Sequence, residues 1–153
     1  MPDPTPVVCN LFQRGDFTLR SGARSGWKIE CDALTEGDWE ALALIATELV
    51  QPFGYVFGVP RGGVPFAKAL ERYCRPEVHT VLIAEDVVTT GGSITRYVDE
   101  LKTTGKWPTS MMGMRVMPSL IGVAVFARGY YPVWVQPLFR MPAPGDHRPD
   151  GVS

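Results

Sequence analysis

Apolar and polar positions along this chain follow two periods in turn. Residues 39–50 repeat Trp39, Leu42, Ala43, Ile45, Ala46 and Leu49 at helical spacing. Thr35-Glu36-Gly37-Asp38 supplies a capping hydroxyl ahead of them, and Pro52 and Gly54 stop the run, which predicts an amphipathic helix. Residues 55–59 read as a short buried strand, Pro60-Arg61-Gly62-Gly63 as a turn, and residues 64–73 as a helix with Pro65 tolerated in its first turn. After Pro76, residues 79–84 form the next strand, and residues 94–103 a helix with Gly105 near its end. Residues 120–126 are a third apolar run and residues 133–139 a fourth strand. Strands without polar alternation, separated by helices, predict a mostly parallel α/β sheet with ligands beyond the strand carboxyl ends. Residues 106–118 fit neither period. They carry Met111, Met112, Met114 and Met117 among Trp107, Pro108 and Pro118, and read as a strand or an insertion, with the methionines more often core filler than a contact surface.

At 153 residues the chain has room for one core. The domain is expected over residues 7–141, between flexible tails at 1–6 and 142–153 that are rich in proline, glycine and charge. The 15 basic and 16 acidic residues give a net charge of −1, which does not favour nonspecific binding to nucleic acid or to a membrane surface. The N-terminus lacks the basic start and apolar core of a signal peptide, and no apolar run is long enough to cross a bilayer. Cys9, Cys31 and Cys74 form no Cys-x-x-Cys pair and read as free thiols, so the expected setting is the cytoplasm. Cys74 and His79 have no second pair of ligand residues and read as structural.

The chemistry concentrates in residues 81–94. Val81-Leu82-Ile83-Ala84 is an apolar strand that ends in Glu85 and Asp86, followed by Val87-Val88-Thr89-Thr90-Gly91-Gly92-Ser93 and a helix. Adjacent carboxylates at a strand end repel unless a cation or hydrogen-bond donors compensate. Free amides and hydroxyls at a helix start suit a phosphate, and the acids suit sugar hydroxyls or a metal. An ordinary strand-to-helix turn, with Ser93 as the cap, is the plainer reading; the acid pair in front weighs against it. No Gly-x4-Gly-Lys-Ser/Thr and no strand-borne Gly-x-Gly-x-x-Gly occurs, so the two commoner nucleotide loops are excluded. A second glycine turn, Arg61-Gly62-Gly63, follows another strand, where main-chain amides and a guanidinium suit a diphosphate; alone, it reads equally as a tight turn with a solvated arginine.

These residues resemble the phosphoribosyl pyrophosphate (PRPP) motif of type I phosphoribosyltransferases, and the wording of residues 85–93 is most similar to the orotate branch. The resemblance implies that Glu85 and Asp86 are the catalytic pair, engaging the ribose hydroxyls close to Mg2+, which they reach through ribose or water. It implies that Thr89, Thr90, Gly91, Gly92 and Ser93 wrap the 5′-phosphate and that Arg61, Gly62 and Gly63 form the pyrophosphate loop. Phe17-Thr18-Leu19-Arg20-Ser21-Gly22 resembles the family's base-contacting Phe-Thr-Leu-Lys-Ser-Gly, which assigns Arg20, Ser21 and Gly22 to the base, with arginine in place of lysine. Trp27 and Ile29 continue as a strand leaving that turn. Arg128 stands where orotate enzymes carry an Asp-Arg pair whose arginine reads a substrate carboxylate, and Ala127 replaces the acid. Tyr130, Tyr131 and Trp134 would stack on the base or close the core.

The resemblance covers most of residues 17–139. It implies a single-domain type I phosphoribosyltransferase-like fold, a homodimer, and transfer of ribose 5-phosphate from PRPP to a small nitrogenous base, orotate or a related pyrimidine. One departure stands out. The family's long mobile loop, with its lysine and histidine, has no counterpart between the helix over 64–73 and the strand that follows, and His79 is a poor substitute. That departure weakens turnover rather than binding, and motivates a second reading: a PRPP- or nucleotide-binding regulatory module with weak or lost activity. A purely structural protein would require the acid pair and both glycine loops to be coincidence.

Overall fold

The computed structural model describes residues 10–144. It begins with an antiparallel hairpin, β1 (Phe12–Thr18) and β2 (Arg24–Ile29), turned at residues 19–23 by Gly22 at φ 87°. A short turn of 3-10 helix (Cys31–Ala33) leads to α1 (Glu36–Leu49). Then follow β3 (Tyr55–Gly58), α2 (Val64–Leu70) with a 3-10 extension over Glu71–Tyr73, β4 (Thr80–Val88) and α3 (Gly92–Thr103). A two-residue-per-arm hairpin, β5 (Ser110–Met111) and β6 (Met114–Arg115), precedes β7 (Ser119–Arg128) and β8 (Val135–Met141).

The central sheet is parallel throughout, in the order β3-β4-β7-β8. Alternate residues of β4 feed two separate cores. Leu82 and Ala84 pack with Trp39, Ala43 and Ala46 of α1 and Phe66, Ala67 and Leu70 of α2. Val81 and Ile83 pack with Ile94, Val98 and Leu101 of α3. Both faces of β4 are therefore dry, which is why its sequence shows no polar alternation. The α/β class, the parallel sheet and the flanking helices agree with the sequence expectation.

Parallel neighbours normally need a crossover of about a dozen residues or more. β7 and β8 are joined by residues 129–134 alone, which return along the α3 side of the sheet. Gly122 makes room for this return: a Cβ there would sit 2.8 Å from the Trp134 ring. Val133 and Trp134 belong to the crossover, so the fourth strand starts later than residue 133.

Two further expectations are corrected. The methionines of residues 106–118 are not core filler: Met112 is 92% exposed, and Met114 and Met117 are exposed on or beside the small hairpin. Only Trp107 of that segment is buried, against Val98 and Leu101. His79 Nε2 lies 2.5 Å from the Val116 carbonyl and ties the segment's end to the start of β4. Ser93 does not cap α3, because the helix starts earlier, at Gly92, with Gly91 in the cap position at φ 81° and no side-chain cap. Cys31 and Cys74 are free thiols. Cys9, the tail at 1–6 and most of the tail at 142–153 lie outside the described residues.

Candidate functional site

β4 carries the site because its last turn of pleat runs past its neighbour β3, which ends at Gly58 opposite Ala84. Glu85 and Asp86 project from this overhang. Glu85 is 1% exposed and Asp86 is half-buried. The Asp86 amide donates to Glu85 Oε1 at 3.1 Å, and the Val87 amide donates to Asp86 Oδ1 at 2.7 Å. Burial, and next the hydrogen bond and charge of Asp86, push the Glu85 carboxyl up to about 9, with Arg20 pulling weakly the other way. Glu85 therefore carries a proton at neutral pH, and the pair avoids facing two like charges across one site. Buried behind it, the Cys31 thiol is pushed up by burial and then by Asp86, so it stays protonated and unreactive.

The free oxygen of Asp86 faces Gly62. A Cβ at position 62 would overlap the Asp86 carboxylate, so glycine is required for the β3–α2 turn to approach the acid pair. The Pro60–Arg61 peptide in that turn is cis. On the other side, residues 89–93 fold over the sheet end. Gly91 needs its positive φ, and a side chain there would meet Pro132 at 2.7 Å. Thr90 Oγ1 accepts from the Gly92 amide at 3.3 Å. The next two amides, of Ser93 and Ile94, belong to the first turn of α3 and have no intrahelical acceptor.

Arg20, Ser21, Glu85, Asp86, Thr89, Thr90, Gly91, Gly92, Ser93 and Arg128 line one cavity of about 480 Å³. Arg61 and Gly62 line an adjoining cleft of about 630 Å³, which shares Arg20, Asp86, Ser93 and Arg96 with the first. Gly22 and Gly63 line neither and act as turn formers. Gly22 donates its amide to Leu19 O, and Gly63 donates to Val59 O. Lys28 and Arg96 line the cavity without having been singled out in the sequence, as does Ile29, which was read there only as part of a strand. Lys28 pairs with Glu30 at 3.3 Å and lies over the Phe17 ring. Arg96 had a legible signal: it stands one helical turn after Gly92, on the same face.

Arg128 is 2% exposed, and no carboxylate lies within ion-pair reach of it among the described residues. It stacks on Trp27 at 3.5 Å and donates to Ser25 Oγ at 2.9 Å, Trp27 O at 3.3 Å and Pro142 O at 3.5 Å. This arginine thus fastens the β1–β2 hairpin over the end of the sheet while forming part of the cavity wall. Tyr130, Tyr131 and Trp134 do not line the cavity; Tyr131 and Trp134 pack against the α3-side core.

Residues 74–79 are all that separate the 3-10 extension of α2 from β4, which leaves no long loop at that point. Among the described residues no group of three or more His, Cys, Asp or Glu side chains could hold a metal ion. With one Asp86 oxygen held by an amide and Glu85 protonated, the donors fit a cation that arrives with ligand oxygens rather than one caged by protein.

No family model matches the chain. It is similar to the orotate phosphoribosyltransferase of Methanosarcina acetivorans, 30% identical over an alignment of 127 positions that takes in 64% of this chain and 67% of that protein. The orotate phosphoribosyltransferase of Methanocorpusculum labreanum is 31% identical over 115 positions, covering 60% of this chain and 68% of that protein. In fold, the crystal structure of orotate phosphoribosyltransferase from Aeropyrum pernix superposes with a TM-score of 0.62 at 23% identity, over 85% of this chain and 88% of that one.

Proposed function

The chain belongs to the orotate phosphoribosyltransferase-like type I phosphoribosyltransferases, and on that basis we propose that it transfers ribose 5-phosphate from PRPP to a nitrogenous base, orotate or a related pyrimidine, releasing pyrophosphate. The observation that carries this reading is the meeting, in one cavity, of the Glu85–Asp86 pair with an uncapped helix start. Asp86 and protonated Glu85 hold the ribose hydroxyls, Glu85 able to donate as well as accept. Thr89, Thr90, Ser93 and the amides around Gly91 and Gly92 hold the 5′-phosphate. Arg61, beside Gly62, takes the diphosphate and stabilises the charge that builds on it as the C1–oxygen bond breaks. Glu85 and Asp86 would hold Mg2+ indirectly, through ribose or water, and the ion would supply further charge neutralisation.

The base lies towards the β1–β2 hairpin, where Arg20, Ser21 and Arg128 meet it. A buried guanidinium with no carboxylate partner among the described residues favours an anionic base, because an unpaired buried charge is costly until a counter-charge arrives. With no aromatic side chain among the described residues that line the cavity, charge rather than stacking selects that base. A homodimer in the cytoplasm completes the proposal; among the described residues, no helix is long and apolar enough to cross a membrane.

The short connection at residues 74–79 favours one other reading, a PRPP-binding regulator that retains the pocket without turnover, because water exclusion needs a cover over the reacting carbon. Incubation with PRPP, Mg2+ and a panel of bases, while pyrophosphate is followed, separates the two. Release that depends on a particular base supports transfer. Tight PRPP binding with no release across the panel supports the regulator, and absence of PRPP binding removes both.

A further inference from the structure

Arg96 is a cation with no ion-pair partner among the described residues, and it is aimed at the start of its own helix. It lies in the opening turns of α3, a 12-residue helix whose first turn contains no acid. The helix dipole disfavours positive charge within the first turn, and Arg96 is rooted one turn beyond it. The side chain nevertheless runs back towards that terminus. Its Nη1 lies 3.3 Å from where a Cβ of Gly92 would be, beside the loop that closes over the cavity. Glu100, one turn further on, is available for an i,i+4 pair, yet no ion pair with Arg96 forms within 4 Å among the described residues. The residue is exposed, so no burial or packing accounts for its orientation.

Its position relative to the two clefts supplies the reason. Arg96 lines the cavity that holds the acid pair and the loop at residues 89–93, and also the cleft of Arg61 and Gly62. A ligand with a phosphate at one end of a sugar and a diphosphate at the other would fill both spaces at once. We propose that Arg96 is a binding residue shared by the two phosphate subsites, a permanently placed guanidinium between the 5′-phosphate and the diphosphate. A planar fork of donors can serve two sets of oxygens in different directions, which an ammonium does less well. The inference rests on the phosphoribosyl reading of the site and adds to it a residue that neither the acid pair nor the glycine loops reveal. Arg96 is carried by a helix, so its backbone position is fixed relative to both clefts.

The test is R96Q, which removes the charge and keeps a good helix former, with R96K beside it. Calorimetric titrations of the wild-type and variant proteins with Mg2+ present would use PRPP, ribose 5-phosphate and inorganic pyrophosphate in turn. R96Q should weaken PRPP by about ten- to a hundredfold and weaken each part-ligand too, with thermal unfolding unchanged, while R96K recovers part of the loss. Unaltered affinity of R96Q for all three overturns the inference and leaves the phosphoribosyl reading standing. A loss confined to ribose 5-phosphate or to pyrophosphate also overturns it, because Arg96 would then serve one subsite only. Failure of the wild-type protein to take up PRPP overturns the reading of the site and this inference together.

Discussion

Helices α1 and α3 begin in opposite ways. α1 is closed by its own sequence: Thr35 Oγ1 accepts from the Asp38 amide at 3.2 Å, Asp38 Oδ2 accepts from the Thr35 amide at 2.9 Å, and Glu36 and Asp38 place acid in the first turn. α3 has a left-handed glycine as its cap, no side-chain cap, no acid in the first turn and a guanidinium folded back over it. One terminus consumes its hydrogen-bond donors and its dipole internally. The other leaves the Ser93 and Ile94 amides open beside a cavity lined by buried Glu85 and half-buried Asp86. The difference separates a helix start closed by its own side chains from one that the proposed function gives to an anion.

The contrast predicts effects of graded size. The largest is at the acid pair that makes the open terminus useful. Asp86→Asn keeps the shape but removes the acceptor beside Gly62, and PRPP affinity should fall by more than about a hundredfold in calorimetry. Near-normal binding would detach the acid pair from the site. Next comes an exchange of character: Ser93→Asp gives α3 the acid that α1 has. It should weaken ribose 5-phosphate by about tenfold or more through repulsion, while thermal stability stays level or rises slightly, by about 0.3–1 kcal/mol from the dipole. Lower stability together with unchanged phosphate binding would erase the distinction between the two helices.

A separate effect, on stability and not on affinity, follows from the proton on Glu85. Its folded value of about 9 lies above the ordinary 4.5, so between those limits the folded state binds more protons than the unfolded one. Stability supplied by this group is therefore fully present below about pH 4.5, declines as pH rises through the window and is gone above about 9, at no more than about 1.4 kcal/mol per pH unit. Glu85→Gln should flatten the dependence of the urea midpoint on pH between 5 and 9, and a slope identical to wild type would show that Glu85 is not the titrating group. The smallest effect belongs to α1. Thr35→Ala should cost about 1 kcal/mol in urea unfolding and leave ligand affinity untouched.

Much of the architecture was legible locally. The helix over 39–50 declared itself by spacing and by its capping box, and the strand before Glu85 by its unbroken apolar run, because both patterns record burial against large neighbouring surfaces. The two glycine turns were legible as turns, and the structure adds why glycine is needed there: a left-handed backbone at Gly91 and a close approach at Gly62. Element ends were less so. β4 runs through the acids to Val88, and α3 starts two residues before position 94, since the ladder with β7 and the free amides of the loop decide those boundaries. The methionine segment misled, because side-chain hydrophobicity alone does not say whether a neighbouring surface exists to cover it.

What the chain determined by itself was the order of its elements, the dry central strand, and two glycine turns with acids between them. Each of these follows from short-range rules of periodicity and backbone geometry. Tertiary structure decided the rest. Arg128 reaches Ser25 across 103 positions of sequence, and with that contact it becomes a buried fastener of the hairpin as well as a wall of the cavity. Glu85 holds its proton because the sheet removes it from water, and Arg96 joins two clefts because α3 docks where the turns after β3 and β4 meet. Burial, charge and proximity of this kind are properties of surfaces brought together from distant segments, so no window of sequence contains them.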